Sequence, residues 1–407
     1  MLDLPAIRQQ FPALQRLVRG RSPVFLDGPG GTQVPRRVID AIMHYLSTCN
    51  ANHGGVFTTG IESDAVLHDA HQGAADLVNA YSPHEIVFGQ NMTSLTFHIS
   101  RSVGRTLQSG DVVVVTRLDH DANVRPWVLA AEDAGAEVRF VDVRPEDGTL
   151  DLDDLARCLQ GRVRLLALGC ASNAIGTIPD VAAIIRQAHA AGALVYLDAV
   201  HYAPHRLIDV QAWDCDFLAC SAYKFFGPHV GILWARSRLL EDLPAYKVRP
   251  APETLPDRWM TGTQNHEGIA GVAAAIDYLA SLGTGDSRRQ KLISAMSAIR
   301  DHETILVRKL LAGLSERLRF RVWGLTREAD LPRRAPTVSI TCAGKDAETL
   351  ARHLAAREIY AWQGNFYALE LCERLGVEAQ GGLLRLGLVH YNTAQEVDRV
   401  LAALDEV

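Results

Sequence analysis

Seven short, strongly apolar runs, recurring between about residues 80 and 236 with helical patterns between them, constrain this chain more than any other feature. They are Glu85–Phe88, Asp111–Val115, Glu137–Val141, Val163–Ala167, Ala193–Leu197, Phe217–Ala219 and Gly231–Trp234. Amphipathic stretches such as Pro126–Ala134 and Val181–Ala191 separate several of them. Continuous apolar runs alternating with helices predict an α/β unit with a mostly parallel, seven-stranded sheet covered on both faces. In such sheets ligands sit beyond the carboxyl ends of the strands. A second, smaller α+β unit is expected from an Ala-rich helix at Gly268–Leu282, a charged helix at Ser287–Leu318 and strand-like runs at Phe320–Trp323, Thr337–Thr341 and Leu383–Leu388. A helix at Ala347–Arg357 and one from Ala394 complete it. The expected boundaries are 1–20 for a segment packing with the small unit, 21–262 for the large unit and 263–407 for the small one.

Composition removes other classes. Charges of 41 basic against 47 acidic residues give −6, with no basic footprint for nucleic acid. No stretch reaches the roughly 18–20 apolar residues of a membrane span, and no signal layout opens the chain. Seven scattered cysteines without a CxxC pair suit a reducing cytoplasm and signal no zinc site. His201 and His205 are spaced i, i+4, but Pro204 lies between them, so no metal is expected. His68 and His71 read as one exposed helix face. Gly28-Pro-Gly-Gly31 lacks the spacing of a dinucleotide-binding turn.

Only five lysines occur, and the first is Lys224. It follows a buried run in Cys220-Ser-Ala-Tyr-Lys-Phe-Phe-Gly-Pro228, where desolvation would lower its pKa and prepare it for Schiff-base chemistry. Taken alone it reads equally well as a surface turn residue. Asp198 closes the run before it, 224 − 198 = 26 residues upstream. A carboxylate at that edge can keep a pyridinium nitrogen protonated, which makes pyridoxal phosphate (PLP) an effective electron sink. The pair says much more than either member.

With that pair in place, the flanking motifs resemble class V aminotransferases of PLP fold type I, in the cysteine desulfurase branch, from about Phe25 to Val400. Asn50-Ala-Asn-His-Gly-Gly55 is similar to the family's N-A-N-x-H-R-G loop, without its Arg. Asp119-His-Asp-Ala-Asn-Val-Arg-Pro-Trp127 is similar to E-H-H-A-N-x-x-P-W, which implies His120 on the face of the PLP ring. Ser172-Asn-Ala-Ile-Gly-Thr177 matches S-N-x-x-G-T and implies that Asn173 meets the ring oxygen and the substrate carboxylate. Leu197-Asp-Ala-Val-His201 matches L-D-G-A-Q, with His201 in place of Gln beside the ring hydroxyl. Ser221-Ala-Tyr-Lys-Phe-Phe-Gly-Pro228 matches S-G-H-K-x-x-G-P, with Tyr223 where a phosphate-binding His is common. The same resemblance implies phosphate contacts from Met92, Thr93 and Ser94, and from Thr263 across a homodimer with shared sites. Arg385, in Leu384-Arg-Leu-Gly-Leu-Val-His-Tyr-Asn-Thr393, is implied to clamp the substrate carboxylate. Asn52, His53, Trp362, Asn365 and Tyr367 are expected on the substrate side.

One departure governs the expected reaction. Desulfurases attack substrate sulfur with a loop cysteine, and aligning Gly364 and Ala368 on that loop puts Tyr367 at its position. A phenol cannot form a persulfide. The expectation is therefore a cytoplasmic PLP enzyme acting at Cα–H of an amino acid, with Lys224 as base and β-elimination (a C–S lyase outcome) favoured. Aminotransferase and epimerase outcomes remain open. So do a desulfurase using Cys372 or an external thiol, and a non-catalytic PLP-binding scaffold.

Overall fold

The structure, a computed structural model, describes residues 2–407. Its seven-stranded sheet comprises β1 (Ile86–Gly89), β2 (Val112–Thr116), β3 (Glu137–Val141), β4 (Val163–Gly169), β5 (Leu194–Asp198), β6 (Phe217–Ser221) and β7 (Gly231–Ala235), ordered β1-β7-β6-β5-β4-β2-β3. Each strand falls on one of the seven apolar runs. Four of the six neighbour pairs are parallel, but β7 runs antiparallel to both β1 and β6. The run-and-helix pattern does not reveal that reversal, which is made within the nine residues between Ser221 and Gly231, too few for a helical crossover.

Alternation along the strands sends side chains to two cores. Val112, Val114, Leu166, Leu168, Val195 and Leu197 share a core with helices on one face. Val113, Val115, Leu165, Ala167 and Tyr196 meet the helices of the other face. Fully buried residues of this size contribute about 1.5–3 kcal/mol each, which is why β-branched runs choose this position over an exposed one.

The helices that position the site are α1 (Leu4–Gln9), α2 (Arg36–Thr48), α3 (Thr58–Val78), α4 (Met92–Gly104), α5 (His266–Ser281), α6 (Arg288–Ser315) and α7 (Leu369–Arg374). Although α5 was expected to open the second unit, it packs on α2 and α3. Its buried Ile269, Val272, Ile276 and Leu279 belong to the large sheet's core, as an Ala- and Gly-rich face allows close helix approach. His68 and His71 do not share an exposed face. His71 is buried with its ring edge on Phe88, centroids 4.6 Å apart, because residues three apart on α3 straddle the boundary of its buried stripe.

The smaller sheet is antiparallel, ordered β8 (Phe320–Trp323), β9 (Thr337–Cys342), β11 (Leu383–Gly387), β10 (Trp362–Gly364). The N-terminal segment ties the two sheets together. Phe11 packs edge-on against Tyr278 of α5 and against Tyr391, at 5.4 and 5.1 Å. Arg8 reaches the Tyr391 carbonyl at 2.7 Å and Glu396 at 2.9 Å. Val24 and Phe25 then pair in parallel with Ile359 and Tyr360.

Candidate active site

The chemistry converges where β5 and β6 end side by side, with Asp198 opposite Ala219 in register. After β6 the chain makes a tight turn through Ala222–Lys224, closed by the Gly227 amide donating to the Ala222 carbonyl at 2.9 Å. Thr32 holds this turn from outside: its amide donates to the Tyr223 carbonyl, and its hydroxyl accepts from the Phe226 amide at 2.8 Å. Lys224 Nζ donates to the Pro29 carbonyl and stands over the Tyr223 ring at 4.8 Å. Burial, helped by Arg385 and opposed by Asp198, lowers its pKa to about 7.

Asp198 is 8% exposed and accepts from the Val200 amide at 2.8 Å. Burial pushes its carboxyl up to about 6, against the pull of Lys224. Nothing in the sequence pattern marked its neighbour Asp119 as more than part of a motif. Asp119 lines the same cavity, accepts from the Thr116 hydroxyl, and takes an Asn123 Nδ2–H bond at 3.3 Å. Burial, reinforced by Asp198, raises it to about 7. Its position just after β2 was the only available signal, and the sheet order is what brings it to Asp198.

His120 caps a short turn, its Nδ1 accepting from the Ala122 amide at 3.0 Å. That bond leaves Nε2 as the protonated nitrogen of a neutral ring. Burial, with Lys224 and Arg385 adding to it, lowers the pKa to about 4. The Tyr367 ring stacks on it, centroids 5.3 Å apart at 21°. His201 is also held neutral by burial, and its Nε2 meets Thr337 Oγ at 3.0 Å.

The β11 residue Arg385 enters from the small sheet. Its Nη1 donates to the Asn173 carbonyl at 2.9 Å, and the guanidinium lies 3.9 Å from the Phe366 ring. Its Nε is buried without a partner, and burial lowers the pKa to about 9. Nearby, Asp27 has a buried Oδ1 without a partner and is raised by burial to about 6. Asn173 donates from Nδ2 to the Phe366 carbonyl at 2.8 Å while its Oδ1 also lacks a partner.

These groups line one cavity of about 620 Å³. Of the expected residues it gathers Met92, Thr93, His120, Asn173, Asp198, His201, Ser221, Tyr223, Lys224, Trp362, Asn365, Tyr367 and Arg385. The N-terminus of α4 forms one wall. Asn91 Oδ1 caps the Ser94 amide at 2.9 Å, Ser221 Oγ accepts from the Met92 amide at 3.0 Å, and Thr93 faces the space between. Such a terminus favours an anion. Gly231 lets it approach, since a Cβ there would lie 2.5 Å from the Asn91 carbonyl carbon. Ser94 stands outside the cavity lining, its hydroxyl directed to Asn91 at 3.2 Å. Asn52, His53 and Thr263 also lie elsewhere, in a second cavity of about 720 Å³ bounded by α3 and the 248–266 segment. There His53 Nδ1 pairs with Asp64 at 2.6 Å.

All seven cysteines are buried, and none lines the Lys224 cavity among the described residues. Cys372, the thiol that a desulfurase reading would call on, has no exposed surface. Burial pushes its thiol up to about 12, because α7 turns it inward beneath the Asn365 carbonyl. Among the described residues no cluster suited to a metal ion occurs, and no helix is long and apolar enough to cross a membrane.

A buried lysine of lowered pKa beside a buried carboxylate, an anion-favouring helix terminus and orphaned polar atoms on Asn173 and Arg385 fit a phosphorylated aldehyde cofactor that brings its own hydrogen-bonding groups. The fold and this site define a PLP-dependent enzyme of fold type I. The family model for class V aminotransferases matches residues 24–400, and the chain belongs to that family. It is 32% identical to a cysteine desulfurase of Dickeya dadantii (strain 3937), over 98% of this chain and 96% of that protein. It is 33% identical to a probable cysteine desulfurase of Xylella fastidiosa (strain 9a5c), over 100% of this chain and 95% of the other. Among solved structures, the apo cysteine desulfurase of Thermococcus onnurineus NA1 superposes with a TM-score of 0.89 at 25% identity, covering 100% of this chain and 98% of that one. The cysteine desulfurase CsdA of Escherichia coli, in an S-sulfonic acid form, gives 0.85 at 28% identity, with the same two coverages.

Proposed function

We propose that this enzyme removes the Cα proton of an amino-acid substrate and favours β-elimination of a group at Cβ, as a C–S lyase does. The observation that carries this reading is Lys224, buried and with a pKa lowered to about 7, so that a neutral amine is available near physiological pH. Bound PLP supplies an aldehyde for the substrate amine and an electron sink for the charge left at Cα. Lys224 then takes the Cα proton and can return it. Asp198 holds the ring-nitrogen proton, and His120, a neutral aromatic ring, packs over the flat face of the site. Arg385 binds the substrate carboxylate through the donors that Asn173 leaves free, while Asn173 fixes the guanidinium plane. Met92, Thr93, Ser221 and Tyr223 surround the phosphate position, and His201 stands by the ring hydroxyl. On the substrate side Trp362, Asn365 and Tyr367 form an uncharged wall.

The second cavity supports a homodimer. Asn52, His53 and Thr263 do not line the Lys224 cavity of their own chain, and the exposed apolar side chains of Met43 and Leu46 on α2, of Phe57 and of Ile61 on α3 offer a face for a partner copy. A second copy on that face would carry these residues to the other copy's site. The seven unpaired, buried thiols suit a cytoplasmic setting.

A second reading, cysteine desulfuration, is favoured by the names of the relatives. It would need Cys372 to leave its buried position, or an external thiol. Two measurements test the reading. PLP should give a visible absorbance band that Lys224→Ala loses. Incubation with cysteine or a cysteine conjugate should yield pyruvate and ammonia. Alanine as the product would instead establish desulfuration, and retention of the cofactor as an amine would establish transamination. A good band with no turnover of any amino acid would leave the scaffold reading.

A further inference from the structure

Between β10 and α7 the chain crosses the mouth of the Lys224 cavity in an unfavourable conformation. Phe366 and Tyr367 are consecutive residues with φ of 57° and 58°, the left-handed region that side chains with a Cβ disfavour. Two such residues in a row persist only where the surroundings over-determine them. Part of that hold is local, with Asn365 Oδ1 accepting from the Tyr367 amide at 3.0 Å and Asn365 Nδ2 donating to Glu378 at 2.9 Å. The rest comes from across the cavity. The Phe366 carbonyl accepts from Asn173 at 2.8 Å, and the Tyr367 carbonyl from the Asp121 amide at 2.7 Å.

Directly beyond the turn lies a chain of four charges of alternating sign, Glu370–Arg117–Asp142–Arg374. Glu370 and Arg374 stand one helical turn apart on α7. Arg117 follows β2, on the same loop as His120 and Asp121, and Asp142 follows β3. Arg117 donates to Glu370 and lies 3.9 Å from Asp142. Arg374 meets both oxygens of Asp142, through Nε at 2.8 Å and Nη2 at 2.9 Å. The four side chains are 25–40% exposed. A lone pair at such exposure contributes little, but a bidentate pair within a network contributes more.

We propose that Arg117, Asp142, Glu370 and Arg374 are positioning residues that clamp the strained Asn365–Ala368 turn over the cavity, and that opening of this chain of ion pairs admits the substrate. Arg117–Glu370 and Asp121–Tyr367 zip two short segments together, one carrying His120 and the other Phe366 and Tyr367. The ion-pair chain therefore sets how the substrate wall faces the lysine without touching any reacting atom. The role in substrate entry rests on the function proposed above; the clamp itself does not.

Amide hydrogen exchange of the PLP-loaded protein, followed by mass spectrometry of peptides covering 361–375, tests the clamp without relying on turnover. In Glu370→Gln and in Arg374→Gln these amides should exchange about threefold to tenfold faster, while peptides from β5 stay unchanged. About 1 M NaCl, where the Debye length is about 3 Å, should produce the same change in the unaltered protein. With an amino-acid substrate, KM should rise in the single variants while kcat changes less than about twofold. Unchanged exchange in both variants overturns the clamp. Faster exchange with KM unaltered overturns its role in admission. Absence of a Lys224-dependent absorbance band would sink the proposed function and leave the exchange result to decide the clamp alone.

Discussion

Burial moves two residues of this site, Asp119 and Lys224, toward their neutral forms, and each can be read by titration. Asp119, raised to about 7, ionises in the unfolded chain near its usual value of 3.8. The folded state therefore holds an extra proton between those values, and Asp119 makes stability fall as pH rises through that window. Lys224 acts in the opposite sense, with stability rising from about pH 7 upward, because the unfolded lysine still binds its proton there. Asp119→Asn should consequently gain Tm relative to the unaltered protein between about pH 5 and about pH 8. Thermal unfolding at the two pH values checks this, and an equal offset at both would count against a buried carboxylate. Arg385 keeps a buried Nε without a partner, and in the proposed function its free donors bind the substrate carboxylate. Arg385→Gln should lower kcat/KM by roughly 30-fold or more, mostly through KM, in steady-state kinetics with the best amino-acid substrate. Lys224 and Asp198 were legible in the sequence because each terminates an apolar run. Asp119 was not, since its nearness to Asp198 depends on strand order rather than on spacing. Thr263, His53 and Asn52 were recognisable as motif residues, but a linear pattern does not say which chain's cavity they serve.

At the scale of elements, apolar runs found all seven strands of the large sheet because burial on both faces writes itself as continuous hydrophobicity. The three-residue strand β10, Trp362–Gly364, had no such signature. It is a short edge strand, largely exposed, and it read as a loop. Helix ends were better marked. Asn79 ends the 21-residue α3 in the left-handed region, φ 61°, and its side chain donates to Asp209 at 2.9 Å. Asn79→Ala loses that bond and places an unsuited residue at positive φ, so it should destabilise by about 1–3 kcal/mol in urea unfolding. Asn79→Gly, which keeps the backbone conformation easy, should lose less. Gly231 is a comparable case, legible as a glycine in a strand but not as the point where β7 meets the α4 terminus. Gly231→Ala should weaken PLP affinity in an absorbance titration, because the cap at Asn91 must shift to admit the methyl group.

For the whole molecule, Met43 and Phe57 are large apolar side chains left 61% and 59% exposed, and the proposed dimer would cover them. Met43→Asp together with Phe57→Asp should yield monomers in sedimentation velocity and should lower turnover with Lys224 intact; dimers that persist would place the contact elsewhere. The helix α5 shows why the unit boundary was hard to place from sequence. Its Ala-rich composition fixes it as a buried helix but not which neighbours bury it. The pairing of Val24–Phe25 with Ile359–Tyr360 has a consequence for synthesis. Strand and partner are 359 − 24 = 335 residues apart. At about 5–20 residues per second the ribosome needs roughly 15–70 s to deliver the second after the first. Throughout that interval the nascent chain carries an apolar edge with nothing to pair with, even as the seven-stranded sheet behind it becomes complete. A binder of exposed strands should therefore engage this enzyme near its beginning, and should let go only when translation is almost over.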